Sequence, residues 1–154
     1  MADLLDRLVE QVPYLGFLGI RLDRHGDELT VVLPFKEALI GNPVPRALHG
    51  GATAAFLEVT AVGQLCAETG LVGTDQNGEP GAGWPLLPRT IDFTIDYLRP
   101  GLPRDAYARA HVSRAGRRFA SVRVEAWQEA RARPFAQAVG HFLMPPRPGS
   151  GAGA

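Results

Sequence analysis

The stretch that decides the fold is residues 49–67, HGGATAAFLEVTAVGQLCA. After the histidine and two glycines it reads as a long apolar helix, with Glu58 as the only charged side chain between the glycines and Glu68. A helix of this kind is buried on most sides. A lone carboxylate there is costly unless it is paired, hydrogen-bonded or put to use. The two glycines also leave backbone N–H groups bare at the helix start. A bare helix N-terminus combined with a buried acid points to chemistry on a carbonyl.

Upstream, residues 3–12 (DLLDRLVEQV) put Leu4, Leu5, Leu8 and Val12 on one face, which predicts a short amphipathic helix that ends at or turns on Pro13. Leu18, Ile20 and Leu22 alternate with other residues, as do Leu29, Val31 and Leu33, so two strands are expected with a hairpin at Gly26-Asp27. Residues 36–48, with Asn42, Pro43 and Pro45, read as a loop. Downstream, residues 70–88 are rich in Gly and Pro and carry Trp84 without periodicity. The period then switches to two. Ile91, Phe93, Ile95 and Tyr97 alternate with Thr90, Asp92, Thr94 and Asp96, and similar alternation runs through residues 106–113, 119–126 and 135–143. Long strands in succession favour an antiparallel sheet, since parallel neighbours need crossovers. One apolar helix against such a sheet gives an α+β domain with the sheet curled around the helix.

The 154 residues fit one domain with a sizeable core. Domain boundaries of 1–144 are expected, with 145–154 a flexible Pro/Gly tail. Lys+Arg (16) balance Asp+Glu (16), which leaves no field to attract nucleic acid or an anionic membrane. The acidic residues Asp3, Asp6 and Glu10 do not suit a signal peptide, and no uncharged apolar run is long enough to span a bilayer. A cytoplasmic protein is expected. Cys66 is the only cysteine, and His25, His111 and His141 lack metal-ligand spacing, so neither a disulfide nor a metal or other cofactor is expected. No G-x-S-x-G elbow, P-loop or dinucleotide fingerprint occurs.

Three segments, HGGATAAFLE (49–58), TIDFTIDYLRP (90–100) and RAGRRFASVRVEAW (114–127), resemble the hotdog-fold acyl-CoA thioesterases, within them the phenylacetate-pathway (PaaI-like) branch. With the strand order, the resemblance spans residues 13–143. It implies the hotdog fold, an antiparallel β-sheet wrapped around one long central helix, and hydrolysis of an acyl- or aryl-CoA thioester. Such hydrolysis needs a group that activates water or attacks directly, and a donor for the oxygen that becomes anionic. Glu58 can supply the first as general base or nucleophile. The Gly50 N–H, at the positive end of the helix, can supply the second. Glu58 lies eight residues beyond Gly50, about 12 Å along a helix, so one carbonyl cannot contact both. Either the two do not form one site, or they come from different subunits. The resemblance implies the latter: a homodimer with composite sites, or a tetramer built from it.

The resemblance also places Thr90 on a hydroxyl position that helps hold the water. Gly51 is a substrate-binding candidate, as is Trp84, which in its long loop suits a cap on an acyl pocket and equally a packing residue at an oligomer interface. Asn42 corresponds to a side-chain amide upstream of HGG. It sits seven residues before His49 where a relative has six, which fits an extra residue at Pro43 or Pro45. His49 is a further catalytic candidate, and Arg117 and Arg118 fall where basic residues meet the CoA phosphates, a role suited to guanidinium forks. Each has a plainer reading: His49 as a helix-start residue, Thr90 as a β-former, Asn42 as a turn residue, the 114–118 arginines as a solvated turn, and Cys66 as a small core residue. The alternative function is a hotdog domain that binds acyl-CoA without turning it over. A hydratase on the same fold needs a His–acid motif that is absent here.

Overall fold

The computed structural model describes residues 2–70 and 86–146. The chain opens with helix α1 (Ala2–Gln11), which buries Leu5 and Leu8. Pro13 does not simply end it. It occupies the first turn of a second short helix, α2 (Pro13–Leu18), where its missing N–H costs nothing. Gly19, at φ +71°, closes α2 in the left-handed conformation, its N–H returning to Leu15 and Gly16. The first strand, β1 (Arg21–His25), therefore starts three residues later than the Leu18–Ile20–Leu22 alternation predicts. Leu18 and Ile20 are buried all the same, from the helix end and its exit.

Strand β2 (Glu28–Leu33) pairs with β1 through the expected turn at Gly26 (φ +62°). The expected loop at 36–48 is more ordered than that. It holds a 3-10 turn at Glu37–Leu39 and a small separate hairpin, β3 (Ile40–Pro43) and β4 (Arg46–Leu48), with a cis Val44–Pro45 peptide at its tip. The long helix α3 (Gly50–Thr69) follows, stopped by Gly70 at φ +62°. Four long strands complete the chain: β5 (Arg89–Tyr97), β6 (Ala106–Ala115), β7 (Phe119–Trp127) and β8 (Ala136–Leu143).

The main sheet has the order β1-β2-β6-β7-β8-β5, antiparallel throughout. Its inner face buries Val31, Leu33, Val122, Val124 and Phe142 against Phe56, Leu57, Ala61 and Leu65 of α3. Small side chains on that face, Ala106, Ala108, Ala126, Ala136 and Ala138, let the helix sit close to the strands. The core is dense enough that truncating Phe56 or Phe142 to Ala is expected to cost about 3–5 kcal/mol. This is the sheet wrapped on one central helix that the resemblance implies. The outer face is polar, with Arg109 paired to Glu28 at 2.8 Å and His141 to Asp92 at 2.6 Å. The order leaves β5 at the sheet edge, paired on one side with β8 and on the other with nothing among the described residues.

Candidate active site

The start of α3 is built by the residues that precede it. His49 is extended (φ −62°, ψ 129°) and caps the helix with its ring: Nδ1 accepts from the Gly51 N–H at 2.9 Å. Its backbone carbonyl accepts from Thr53 N–H at 3.0 Å, and its own N–H donates to Leu39 at 2.7 Å. The lone pair on Nδ1 is therefore engaged in the cap, a structural use of the histidine. Glycine at 51 makes room for the capping ring, since a Cβ there would stand 3.0 Å from it. Gly41 of β3 is needed for the same reason from the other side. A Cβ on Gly41 would lie 2.5 Å from His49 Cα, a collision with backbone.

Gly50, the first residue of α3, has an N–H that meets no acceptor among the described residues. Its carbonyl accepts from the Tyr97 hydroxyl at 2.8 Å. A bare N–H at the positive end of a twenty-residue helix is a ready anion donor. Tyr97 was not among the sequence candidates. Its only sequence signal is its position at the end of β5, and its hydroxyl matters only once that strand is known to run beside the helix start.

Glu58 lies two turns further along α3, half-buried, and its Oε1 accepts from the Thr90 hydroxyl. The alternation in the sequence puts Thr90 on the face opposite Tyr97, and the structure corrects this. β5 carries a bulge between Thr90 and Asp92: Thr90 pairs with Phe142 and Asp92 with His141, which leaves Ile91 as the extra residue. The bulge resets the two-residue period, so Thr90 and Tyr97 both point to α3 although they are seven residues apart. Ile91 is correspondingly 54% exposed at the edge. Thus β5 touches α3 at both positions of interest, Tyr97 at Gly50 and Thr90 at Glu58.

The other sequence candidates are distributed differently. Asn42 lies in the β3–β4 hairpin with its Oδ1 accepting from the Val44 N–H at 3.1 Å, the turn role, and no contact joins it to Glu58 or Gly50. Arg117 and Arg118 stand in the exposed β6–β7 turn and line a hollow of about 940 Å³ together with Leu86, Leu87, Leu143 and Met144. Arg89, the neighbour of Thr90, lines the same hollow, so three guanidinium groups share an otherwise largely apolar wall. Trp84 lies outside the described residues. Cys66 is buried, and burial pushes its thiol up to about 12, so it is no thiolate nucleophile at neutral pH. Among the described residues no three His, Cys, Asp or Glu side chains converge as metal ligands, and no helix is long and apolar enough to cross a membrane.

Known proteins share this fold. The family model described as "Thioesterase superfamily" matches residues 46–134, from β4 through α3 and on past β7. Over 127 residues the chain is 34% identical to YigI of Escherichia coli K12, a medium/long-chain acyl-CoA thioesterase, covering 80% of this chain and 81% of that protein. A crystal structure of a Chromobacterium violaceum protein aligns with a TM-score of 0.66 at 33% identity, covering 94% of this chain and 95% of that one. A Bacillus halodurans protein crystallised with CoA has the same fold, with a TM-score of 0.67 at 19% identity and coverage of 95% and 91%. With more than half its length matched by the family model and most of it aligned to a relative at 34% identity, the chain belongs to the thioesterase superfamily.

Proposed function

We propose that the protein hydrolyses medium- to long-chain acyl-CoA thioesters to the free acid and CoA, at sites composed from two subunits. The observation that carries this reading is the double contact of β5 with α3, Thr90 at Glu58 and Tyr97 at Gly50. Glu58 and Gly50 of one chain stand about 12 Å apart along α3, too far to share one carbonyl. β5, however, is a nine-residue edge strand, with Tyr97 55% and Leu98 47% exposed beside it. An unpaired edge of this length is a template for pairing with another strand. Antiparallel pairing of β5 with its own copy about a two-fold near Thr94 sets the Thr90–Ile91 bulge opposite the partner subunit's Tyr97. Glu58 then faces Gly50 of the partner subunit, and each dimer has two such sites.

In this arrangement Glu58 removes a proton from water, or attacks the carbonyl carbon itself, while the facing Gly50 N–H holds the developing oxyanion. The Thr90 hydroxyl orients the carboxylate. The C–S bond breaks: in the base route the proton that Glu58 took from water passes to the CoA thiolate. In the nucleophile route water then hydrolyses the acyl–glutamyl anhydride, which releases the acid, restores the Glu58 carboxylate and supplies the proton for the thiolate. Arg89, Arg117 and Arg118 suit the phosphates of CoA as guanidinium forks, and the leucines and Met144 beside them suit the pantetheine arm that joins those phosphates to the thioester sulfur. The chain length follows the named activity of the E. coli relative and ranks aliphatic above aryl thioesters.

The test is CoA release from saturated acyl-CoAs of two to eighteen carbons and from phenylacetyl-CoA, with wild type beside Glu58→Ala. Turnover should peak at medium or long chains and fall at least ~100-fold in the variant, as for loss of a general base. Equal turnover by the two proteins would remove Glu58 from the chemistry. Binding of acyl-CoA without turnover would make the protein a carrier or sensor instead.

A further inference from the structure

The Gly50–Gly51 peptide unit is held at both ends. Its carbonyl accepts from the Tyr97 hydroxyl at 2.8 Å, and its N–H donates to His49 Nδ1 at 2.9 Å. The preceding peptide, His49–Gly50, is held by its carbonyl, which accepts from Thr53 N–H at 3.0 Å. What remains is the Gly50 N–H, with no acceptor among the described residues. Two consecutive glycines at a helix start would otherwise have wide backbone freedom, and helix ends fray. A peptide unit pinned at one end can still pivot about the adjoining Cα bonds, and a second pin on the opposite side stops that motion.

We infer that Tyr97 is a positioning residue for thioester hydrolysis. Its hydroxyl, acting with the His49 cap, locks the Gly50–Gly51 peptide and so aims the Gly50 N–H at the reacting carbonyl oxygen. The inference rests on the reading of Gly50 as oxyanion donor. Tyr97 is itself well anchored: it pairs with Ala136 on β8, and the next residue, Leu98, donates its N–H to Phe135 at 2.9 Å. The residue is more than half exposed in the single chain, so the hydroxyl does not fill that chain's core. A donor already aimed requires no reorganisation when charge develops, which is where such groups gain their effect.

The experiment compares Tyr97→Phe, Gly50→Pro and the double variant in the acyl-CoA hydrolysis assay, with thermal unfolding of each. Tyr97→Phe keeps the ring and deletes one hydrogen bond, so kcat should fall about five- to tenfold. KM should stay within about twofold of wild type, and the unfolding midpoint should hardly move. Proline at 50 removes the N–H that Tyr97 aims, so adding Tyr97→Phe to Gly50→Pro should lower kcat no further. The inference is overturned if Tyr97→Phe leaves kcat within twofold, if its effect lies in KM, or if it lowers kcat equally in both backgrounds. A large loss in Gly50→Pro beside an unchanged Tyr97→Phe would leave the donor reading standing and remove only the role of Tyr97. An unchanged kcat in Gly50→Pro would remove both.

Discussion

Gly50→Pro is the sharpest perturbation this geometry allows, because the structure makes it a deletion of a single N–H. Gly50 is the first residue of α3, the helical position at which proline is tolerated. His49 before it, at φ −62° and ψ 129°, already has the extended backbone that a residue preceding proline prefers. The N–H that disappears makes no bond among the described residues, so folding loses no hydrogen bond with it. A Cβ at position 50 would meet the Tyr97 ring and hydroxyl at 3.4–3.5 Å, ordinary van der Waals contact. Stability should therefore change by no more than about 1 kcal/mol in either direction.

Catalysis should respond on a different scale. Loss of one oxyanion donor removes about 2.7–4 kcal/mol of transition-state stabilisation, a fall of roughly 10²–10³ in kcat. The proline Cβ adds bulk, for which Gly50→Ala, which keeps the N–H, is the control, and the proline Cδ stands near where the hydrogen was, so its obstruction of substrate is read from KM. The assay is steady-state CoA release over a range of acyl-CoA concentrations. A fall in kcat at least tenfold beyond that of Gly50→Ala, with the unfolding midpoint retained, is the expected result. If Gly50→Pro keeps kcat within about threefold of Gly50→Ala, Gly50 is not the donor. A loss confined to KM would mean that the ring obstructs binding, and would refute the reasoning equally.

Further expectations follow from single contacts. Thr90→Val keeps the shape and deletes the hydroxyl that donates to Glu58; a bond to a carboxylate is worth about 1.5–3 kcal/mol, so kcat should fall at least about tenfold, and an unchanged kcat would sever Thr90 from the site. Gly41→Ala forces a Cβ to within 2.5 Å of His49 Cα, and urea unfolding should show a loss of about 1–3 kcal/mol, whereas a neutral result would deny the close approach. Cys66 makes stability depend on pH: its thiol rises from the ordinary 9.0 to about 12 in the fold, so above pH 9 the unfolded chain loses a proton that the folded chain keeps. Stability then falls as pH climbs from 9 towards 12, by at most ~1.4 kcal/mol per pH unit. In urea melts, the advantage of wild type over Cys66→Ala should shrink between pH 8 and pH 10.5, and a constant gap would contradict the burial of the thiol.

The parts of the fold legible in sequence are those whose period had no competitor. α3 is uncharged and mostly apolar apart from Glu58 and its last turn before a glycine stop, and β7 and β8 alternate cleanly along their length, whereas β6 shifts register between Val112 and Arg114. The start of β1 was less legible because Leu18, Ile20 and Leu22 alternate whichever structure they adopt. There the decision fell to Pro13 and Gly19, one opening a helix and the other closing it. The β3–β4 hairpin has strands of four and three residues, too short to show a period. Long-range bonds hold the ends of this segment: Leu48 donates to Gly101, and His49 to Leu39.

At the site the limit is one of parity. Gly50 and Glu58 stand out because a bare helix start and a lone acid in an apolar helix are each unusual on their own. Thr90 enters only through the resemblance and Tyr97 not at all, because the residue pattern itself does not record which face of β5 each occupies. Counting residues puts them on opposite faces, and the single extra residue Ile91 reverses that count. A bulge is decided by how a strand fits its neighbour, here β8 with Gly140 lying under Phe93, where even one added Cβ would come within 2.5 Å of the ring. No local pattern around Thr90 records that fit. Yet the same extra residue lets one edge strand touch α3 at both Glu58 and Gly50. In the proposed dimer, a two-fold through β5 would for that reason bring Glu58 of one chain towards Gly50 of the partner subunit, two residues that stand about 12 Å apart along α3 within one chain.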